Sequence, residues 1–240
     1  MKTIIVLPTF NEAENLPKII EAILSHHDPA FNLLIVDDNS PDGTGEIADQ
    51  LAAQHPTQIQ VLHRKGRKGL ASAYIEGFKI ALETNADAIG QMDSDFSHNP
   101  QKLPEMLAGL ARADLVIGSR YTEGGSVDVE WPLWRKFLSA FGNFYARTIL
   151  QIPTKDVTTG FRLWRRETLA AMPLDQIVSS GYIFLVEMVY VAHKLGYRLI
   201  EVPIYFADRK WGVSKMNIKI QVEAAIRVWQ AKFAHRKLAK

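Results

Sequence analysis

The sequence has no cysteine. That excludes disulfides, thiolate chemistry and any zinc–cysteine site. It also has no apolar run near the ~18 residues needed to cross a bilayer. The opening "MKTIIVLPTF" reaches Pro8 after a few apolar residues, too short for the core of a signal peptide. The longest uncharged apolar stretch, "QIVSSGYIFLV", is broken by Ser179, Ser180 and Gly181. A cytoplasmic protein without a membrane span is expected. Glycine-rich phosphate cradles are missing too. Where a dehydrogenase carries G-x-G-x-x-G after its first strand, this chain reads "PTFNEAEN". "GRKG" at 66–69 lacks the Lys–Ser/Thr of a P-loop, "GTG" at 43–45 reads as a turn before a helix, and no G-x-S-x-G elbow exists. Charge of one sign is scarce: 28 Lys and Arg against 26 Asp and Glu leave +2, too little to argue for nucleic acid. The excess sits at the end, where nine Lys or Arg face one acid, Glu223, from Arg209 onward. Such a tail suits anionic lipid or phosphate.

What is present is ordinary for a soluble globular chain: 240 residues, 47% hydrophobic and 22% charged. Continuous apolar runs alternate with amphipathic segments. "TIIVLP", "NLLIVDD", "QIQVLH", "ADAIGQMD" and "ADLVIGSR" read as five strands. Between them lie a helix capped by Asn11 and running to about Ser25, then "TGEIADQLAAQ", "GLASAYIEGFKIALETN" and "PQKLPEMLAGLAR". This alternation predicts βαβ units and a parallel sheet. Beyond Arg120 come a Gly-containing loop, the aromatic helix "LWRKFLSAFGNFYARTIL", the arginine-rich "KDVTTGFRLWRRETL", a helix around 182–196, the strand "RLIEVPIYF" and a final amphipathic helix.

Ligands of such sheets bind beyond the carboxyl ends of the strands. Polar residues gather there: Asp37 and Asp38 after strand two, Asp93 and Asp95 after strand four, Ser119 and Arg120 after strand five. Asp93 and Asp95, at i and i+2 of an extended segment, can turn both carboxylates to one side. Alone they read as a polar turn. With phosphates to share it, a divalent ion neutralises the pair and replaces the glycine cradle.

"PTFNE", "VDDNSPDGT", "MDSDFSH", "GSRY", "TTGFR", "SGYIF" and "DRKWGVSK" together resemble family 2 inverting glycosyltransferases of GT-A fold, and within them the polyprenol (dolichol) phosphate mannose synthases. The resemblance spans about 3–215. It implies an α/β, Rossmann-like, mostly parallel sheet flanked by helices, in one domain over 1–240. Within it, 1–120 would be a nucleotide-binding half, 121–215 an acceptor half and 216–240 a basic amphipathic helix. It implies transfer of mannose from GDP-mannose to a polyprenyl phosphate with inversion, aided by Mg²⁺ or Mn²⁺. Pro8, Phe10 and Glu12 would line the nucleotide pocket, with Val36 and Asp38 on base or ribose. Asp93 and Asp95, with Ser94 between them, would hold the metal on the diphosphate. Ser97 stands where some relatives have a glutamine ligand. Arg120 and Arg135, with Ser139 one turn on, would receive the acceptor phosphate. Arg209 and Lys215 would close over the donor.

Other readings of single residues compete with these. Arg162, Arg165 and Arg166 read as a solvated face or salt bridges, Glu187 as an ordinary core-edge acid, Trp211 as a loop cover and His98 as a structural loop histidine. Trp134, Phe137, Phe141, Phe144 and Tyr145 read as core before lipid groove, with some facing the acceptor. A UDP-glucose-dependent glucosyltransferase, a nucleotidyltransferase and a non-catalytic sugar-nucleotide module are the rival functions. The nucleotidyltransferase's glycine- and lysine-rich start is missing, and Asp93, Asp95, Arg120, Arg209 and Lys215 argue for catalysis. The lipid acceptor requires peripheral membrane association, either through the two amphipathic helices on the bilayer or through a separate anchoring subunit.

Overall fold

Runs that are apolar on every residue must be covered on both faces, and this dictates the architecture. The computed structural model describes residues 1–27, 31–208 and 218–238, without the side chains of 218–224. The elements run β1 (Thr3–Thr9), α1 (Leu16–Leu24), β2 (Phe31–Asp37), α2 (Thr44–Gln54), β3 (Ile59–His63), α3 (Leu70–Glu83), β4 (Ala88–Gln91), α4 (Leu103–Gly109) and β5 (Leu115–Ser119). Then come β6 (Ser126–Val127), α5 (Leu133–Leu150), β7 (Arg162–Arg165), α6 (Arg166–Ala170), α7 (Ile183–Lys194), β8 (Leu199–Pro203), β9 (Tyr205–Phe206) and α8 (Ile218–Ala234).

Seven strands form one sheet in the order β3-β2-β1-β4-β7-β5-β8. All neighbours are parallel except at β7, which is antiparallel to both β4 and β5. Helices α1, α2 and α4 cover one face through Leu16, Ile19, Ala48, Leu103 and Met106. Helices α3, α6 and α7 cover the other through Tyr74, Phe78, Leu169, Phe184 and Met188. The expected α/β class and mostly parallel sheet are the observed ones.

Four expectations need correction. Asn11 does not cap α1; it has φ 60°, and the helix starts after Asn15. "RLWR" is a central strand, not a solvated arginine segment. Its Trp164 is fully buried and donates its indole N–H to Gln91 Oε1 on β4 at 2.7 Å. "RLIEVPIYF" breaks at Ile204, so β9 leaves the main sheet and pairs with β6. The aromatics of α5 are not core: Trp134, Phe137, Phe141 and Phe144 are exposed, along with Leu133. Only the inner side of α5, at Asn143, Ala146 and Leu150, is buried.

Arg165 and Arg166 also have a physical account. Arg165 donates to the carbonyls of Ala113 and Leu110 beyond α4, and Arg166 to those of Thr84 and Leu82 at the end of α3. Two cations thus satisfy carbonyls that helix ends leave without partners. Among the described residues no helix is long and apolar enough to cross a membrane.

Candidate active site

The carboxyl ends of β1, β2, β4 and β5 open onto one edge of the sheet, and the backbone there is strained. Three of the four described non-glycine residues with positive φ lie just past strand ends: Asn11 after β1, Asn39 after β2, and Phe96 after β4. Such conformations cost of order 1–3 kcal/mol each and persist where surrounding contacts impose them. The contacts at β2 are clear. Asp37 accepts from the Ser40 amide and hydroxyl and from the Thr9 hydroxyl.

On the β1–β3 side, Asp38 is buried and accepts from Arg64 Nη1 at 2.6 Å and from the amides of Lys68 and Gly69. Arg64 also reaches Ser72 and Glu76, so Asp38 is held in a closed network. The Arg67 guanidinium lies 4.0 Å over the Phe10 ring, a cation–π stack. Pro8 is half-buried in β1 beside it. The Glu12 carboxylate accepts from Asn15 Nδ2 at 2.7 Å, and its amide donates to Thr44 Oγ1. Val36 departs from expectation. Its side chain is wholly buried in the core beneath α3, against Tyr74 and Phe78, and cannot present itself to a base or ribose.

In the middle, Asp93 keeps about a third of its side chain exposed (32%). Its amide donates to His98 Nδ1 at 3.1 Å, and Tyr74 Oη approaches Oδ1 at 3.4 Å. His98 is buried and stacks on Phe161, so burial lowers its pKa against the opposing pull of Asp93 and Asp95. With Nδ1 accepting, the ring proton sits on Nε2. Gly160 leaves Asp93 its room: a Cβ would stand 3.1 Å from Asp93 Oδ1, closer than side chains ordinarily pack. Asp95 and Ser94 are nearly buried. Ser97 is not placed as a ligand. Its hydroxyl is buried and donates to Asp95 Oδ1 at 2.6 Å, joined by its amide at 3.1 Å, so it aims the carboxylate instead.

Among the described residues no group of three or more His, Asp or Glu gathers to hold a metal. Two hard carboxylates with one oxygen pre-aimed nonetheless fit Mg²⁺ or Mn²⁺, which take only one or two protein carboxylates when phosphate oxygens and water complete the shell.

On the β5 side, Arg120 is buried against Asp156: Nε to Oδ2 at 2.7 Å and Nη2 to Oδ1 at 2.8 Å. Burial alone would raise the Asp156 pKa, but the Arg120 charge and hydrogen bonds outweigh it and the net shift is downward. Arg135 at the start of α5 stacks 3.7 Å over Trp131 and pairs with Asp208 at 3.2 Å. Ser139 accepts from Tyr121 Oη at 2.7 Å. Phe206 joins the parts: its ring centroid lies 5.1 Å from Arg120 Cζ, 5.4 Å from His98 and 5.7 Å from Trp131. Arg209, Trp211 and Lys215 lie outside the described residues.

Sequence reasoning missed Asp156, Thr158, Trp131 and Phe206, and misread Arg162. Arg162 is fully buried and donates to the Leu185 and Val157 carbonyls. Burial pushes its guanidinium down to about 9, with Asp156 pulling the other way. The one signal available was "KDVTTG", a polar knot directly before the mixed aromatic and arginine segment "FRLWRR".

Comparison with known proteins bears on this edge. The model of the glycosyl transferase family 2 matches residues 4–172. The undecaprenyl-phosphate mannosyltransferase of Micrococcus luteus is 45% identical over 228 residues, 95% of this chain and 93% of its own. The polyprenol monophosphomannose synthase of Mycolicibacterium smegmatis is 42% identical over 217 residues, 90% and 81% of the two chains. The glucosyl-3-phosphoglycerate synthase of Mycobacterium tuberculosis, solved with Mn²⁺, uridine diphosphate and phosphoglyceric acid, superposes with TM-score 0.69 at 16% identity, over 100% of this chain and 80% of that one.

Proposed function

The chain belongs to glycosyl transferase family 2, and from that premise we propose that it transfers mannose from GDP-mannose to a polyprenyl monophosphate with inversion. The observation that carries this reading is the sharing of one sheet edge. His98, which accepts the Asp93 amide, packs 5.4 Å from the Phe206 ring, and the Arg120 guanidinium lies 5.1 Å from the same ring. A carboxylate pair suited to a metal–diphosphate and a guanidinium suited to a phosphate therefore lie along the same edge. The mannosyl and polyprenyl assignments rest on the names of the two similar enzymes, at 45% and 42% identity.

A divalent ion on Asp93 and Asp95 would act as Lewis acid for the departing diphosphate. Phe10 and Asp38 would receive the nucleoside, with Arg67 moving off or capping the stack. The acceptor phosphate has a second pKa near ~6 and is already mostly dianionic at pH 7. One of its oxygens attacks the anomeric carbon while the bond to the diphosphate oxygen breaks on the opposite face. No protein base is required, and His98, neutral and buried, is not placed to be one. Arg120 and Arg135 hold the nucleophile in line against the repulsion of two anionic substrates.

Contact with the acceptor's membrane falls to α5 and α8. Leu133, Trp134, Phe137, Phe141 and Phe144 make one exposed stripe, and Ile226, Trp229 and Phe233 a second. The helices are joined through Trp229 Nε1 donating to Tyr145 Oη at 3.0 Å. An unpartnered apolar stripe of this extent, flanked by Lys136, Arg147 and Lys232, suits the surface of an anionic bilayer directly.

The test is a donor panel with phytanyl phosphate and Mg²⁺ or Mn²⁺. Mannosyl-phosphoryl-phytanol from GDP-mannose is expected. Turnover of UDP-glucose alone would replace the donor, and no transfer to phytanyl phosphate from any donor would reject the acceptor class.

A further inference from the structure

Arg120 does not wait in solvent for an anion; its guanidinium is already fixed. Of its five N–H donors, Nε–H goes to Asp156 Oδ2 and the Nη2 pair to Asp156 Oδ1 and Thr158 Oγ1, at 2.7, 2.8 and 2.6 Å. The Arg120 amide adds a fourth bond to Asp156 Oδ2 at 3.0 Å. Among the described residues Nη1 makes no hydrogen bond, yet it is not sealed from solvent, unlike Arg162 Nε. The seat itself is fully satisfied. Asp156 Oδ1 also accepts from the Thr158 amide at 3.2 Å and hydroxyl at 3.4 Å. Thr158 Oγ1 accepts in turn from Asn143 Nδ2 of α5 at 2.9 Å, and Asn143 Oδ1 takes the Val157 amide.

We propose that Asp156 and Thr158 are positioning residues for acceptor recognition, holding one edge of Arg120 so that only its two Nη1 donors face the incoming phosphate. This deepens the reading above and rests on it. Two consequences follow from the geometry. The rotamer entropy of a long side chain, which would otherwise oppose binding, is lost on folding instead. And since Arg120 and Asp156 together carry no net charge, Arg120 directs the phosphate more than it attracts it. The net attraction comes from other cations, Arg135 among them. Through Asn143 the seat is also tied to α5, the helix whose far face carries the exposed aromatic stripe.

The experiment compares Thr158→Val, Thr158→Ser and Asp156→Asn with the unaltered chain. Steady-state kinetics are run against phytanyl phosphate, and calorimetry against GDP with Mg²⁺. Removing the Thr158 hydroxyl frees one Nη2 donor while leaving the Asp156 pair. Thr158→Val should raise KM for phytanyl phosphate about 5–10-fold, the scale of immobilising one flexible side chain. GDP affinity should stay unchanged and Thr158→Ser should restore KM. Asp156→Asn, if folded by circular dichroism, should raise KM further. If Asp156→Asn does not fold, the two Thr158 variants decide alone. An unchanged acceptor KM in Thr158→Val, an equal loss of GDP affinity, or failure of Ser to rescue overturns the seat and leaves the mannosyl-transfer reading standing. An unaltered enzyme that never uses phytanyl phosphate removes both.

Discussion

Glu187 Oε1 and His235 Nε2 meet at 2.6 Å with both side chains nearly sealed from water. Glu187 lies mid-way along α7, and His235 immediately follows α8. The carboxylate also accepts the amides of Val178 and Ser179, so three segments converge on one buried acid. This is the residue that reads, from sequence, as a core-edge acid; it is instead the latch that holds the C-terminal helix to the domain.

His235→Ala should therefore lower stability by about 3 kcal/mol, the usual cost of leaving one member of a buried pair alone. The pH dependence has a definite sign. Burial would raise the Glu187 pKa, but bonds from His235, Ser179 and Val178 outweigh it, and the folded value lies below the ordinary one. The contribution of Glu187 is thus full above the unfolded value of about 4.3 and is lost as pH falls through the lower folded value. Thermal melts from pH 7 to 3 should show a steeper acid loss in the unaltered chain than in Glu187→Gln. Parallel curves would show that the latch does not titrate in this range.

Asp95→Asn should keep the fold and reduce turnover at least ~10²-fold, as for loss of a principal electrostatic stabiliser. EDTA should do the same reversibly. Ser97→Ala, which removes the hydroxyl aiming Asp95, should sit between the two. Full activity in EDTA would end the metal reading.

The exposed stripe of α5 gives a physical test of membrane contact. Phe137→Glu with Phe141→Glu touches no buried residue and should leave GDP affinity intact. Co-sedimentation with vesicles containing anionic lipid should fall at least ~10-fold. Undiminished sedimentation would assign the attachment elsewhere, to another surface or to a separate subunit.

Arg162→Met should be among the most destabilising single changes. The substitution strands the Val157 carbonyl in the core, costing about 1–3 kcal/mol, while the Leu185 carbonyl keeps its place in the ladder of α7. Chemical denaturation should show a drop of about 1–3 kcal/mol with its slope unchanged. A drop under about 1 kcal/mol would return Arg162 to the solvated arginines.

The first half of the chain was legible because its apolar runs and helical periodicities are separated by clear turns. β1 to β5 and α1 to α4 fall close to where the patterns put them, and Asp93, Asp95 and Arg120 collect at the expected edge. The second half hid its logic in polar residues put to buried use. "RLWR" carries two arginines in four residues, and no periodicity rule makes it a central strand. It is one because Arg162 finds carbonyls and Trp164 finds Gln91. Val36 failed in the opposite way: it shares the α3 side of the sheet with Asp38, but it lies one pleat further in, where Tyr74 and Phe78 belong to the same buried cluster, while Asp38 sits past the strand end. The aromatics of α5 have the composition of a core, and only the positions of neighbouring elements could tell that no described element covers them.

The place of β7 between β4 and β5 also dictates an order of assembly. β4 and β5 share no hydrogen bonds; each pairs with residues 162–165 instead. The first four strands can pair among themselves, β1 with β2 and with β4, but the sheet stays split until the chain has supplied its hundred-and-sixty-fifth residue. Until then β4 has one edge that its eventual neighbour does not cover, and a bare edge is where another chain can pair. The strand that joins the two parts of the sheet is thus also the one that covers this edge.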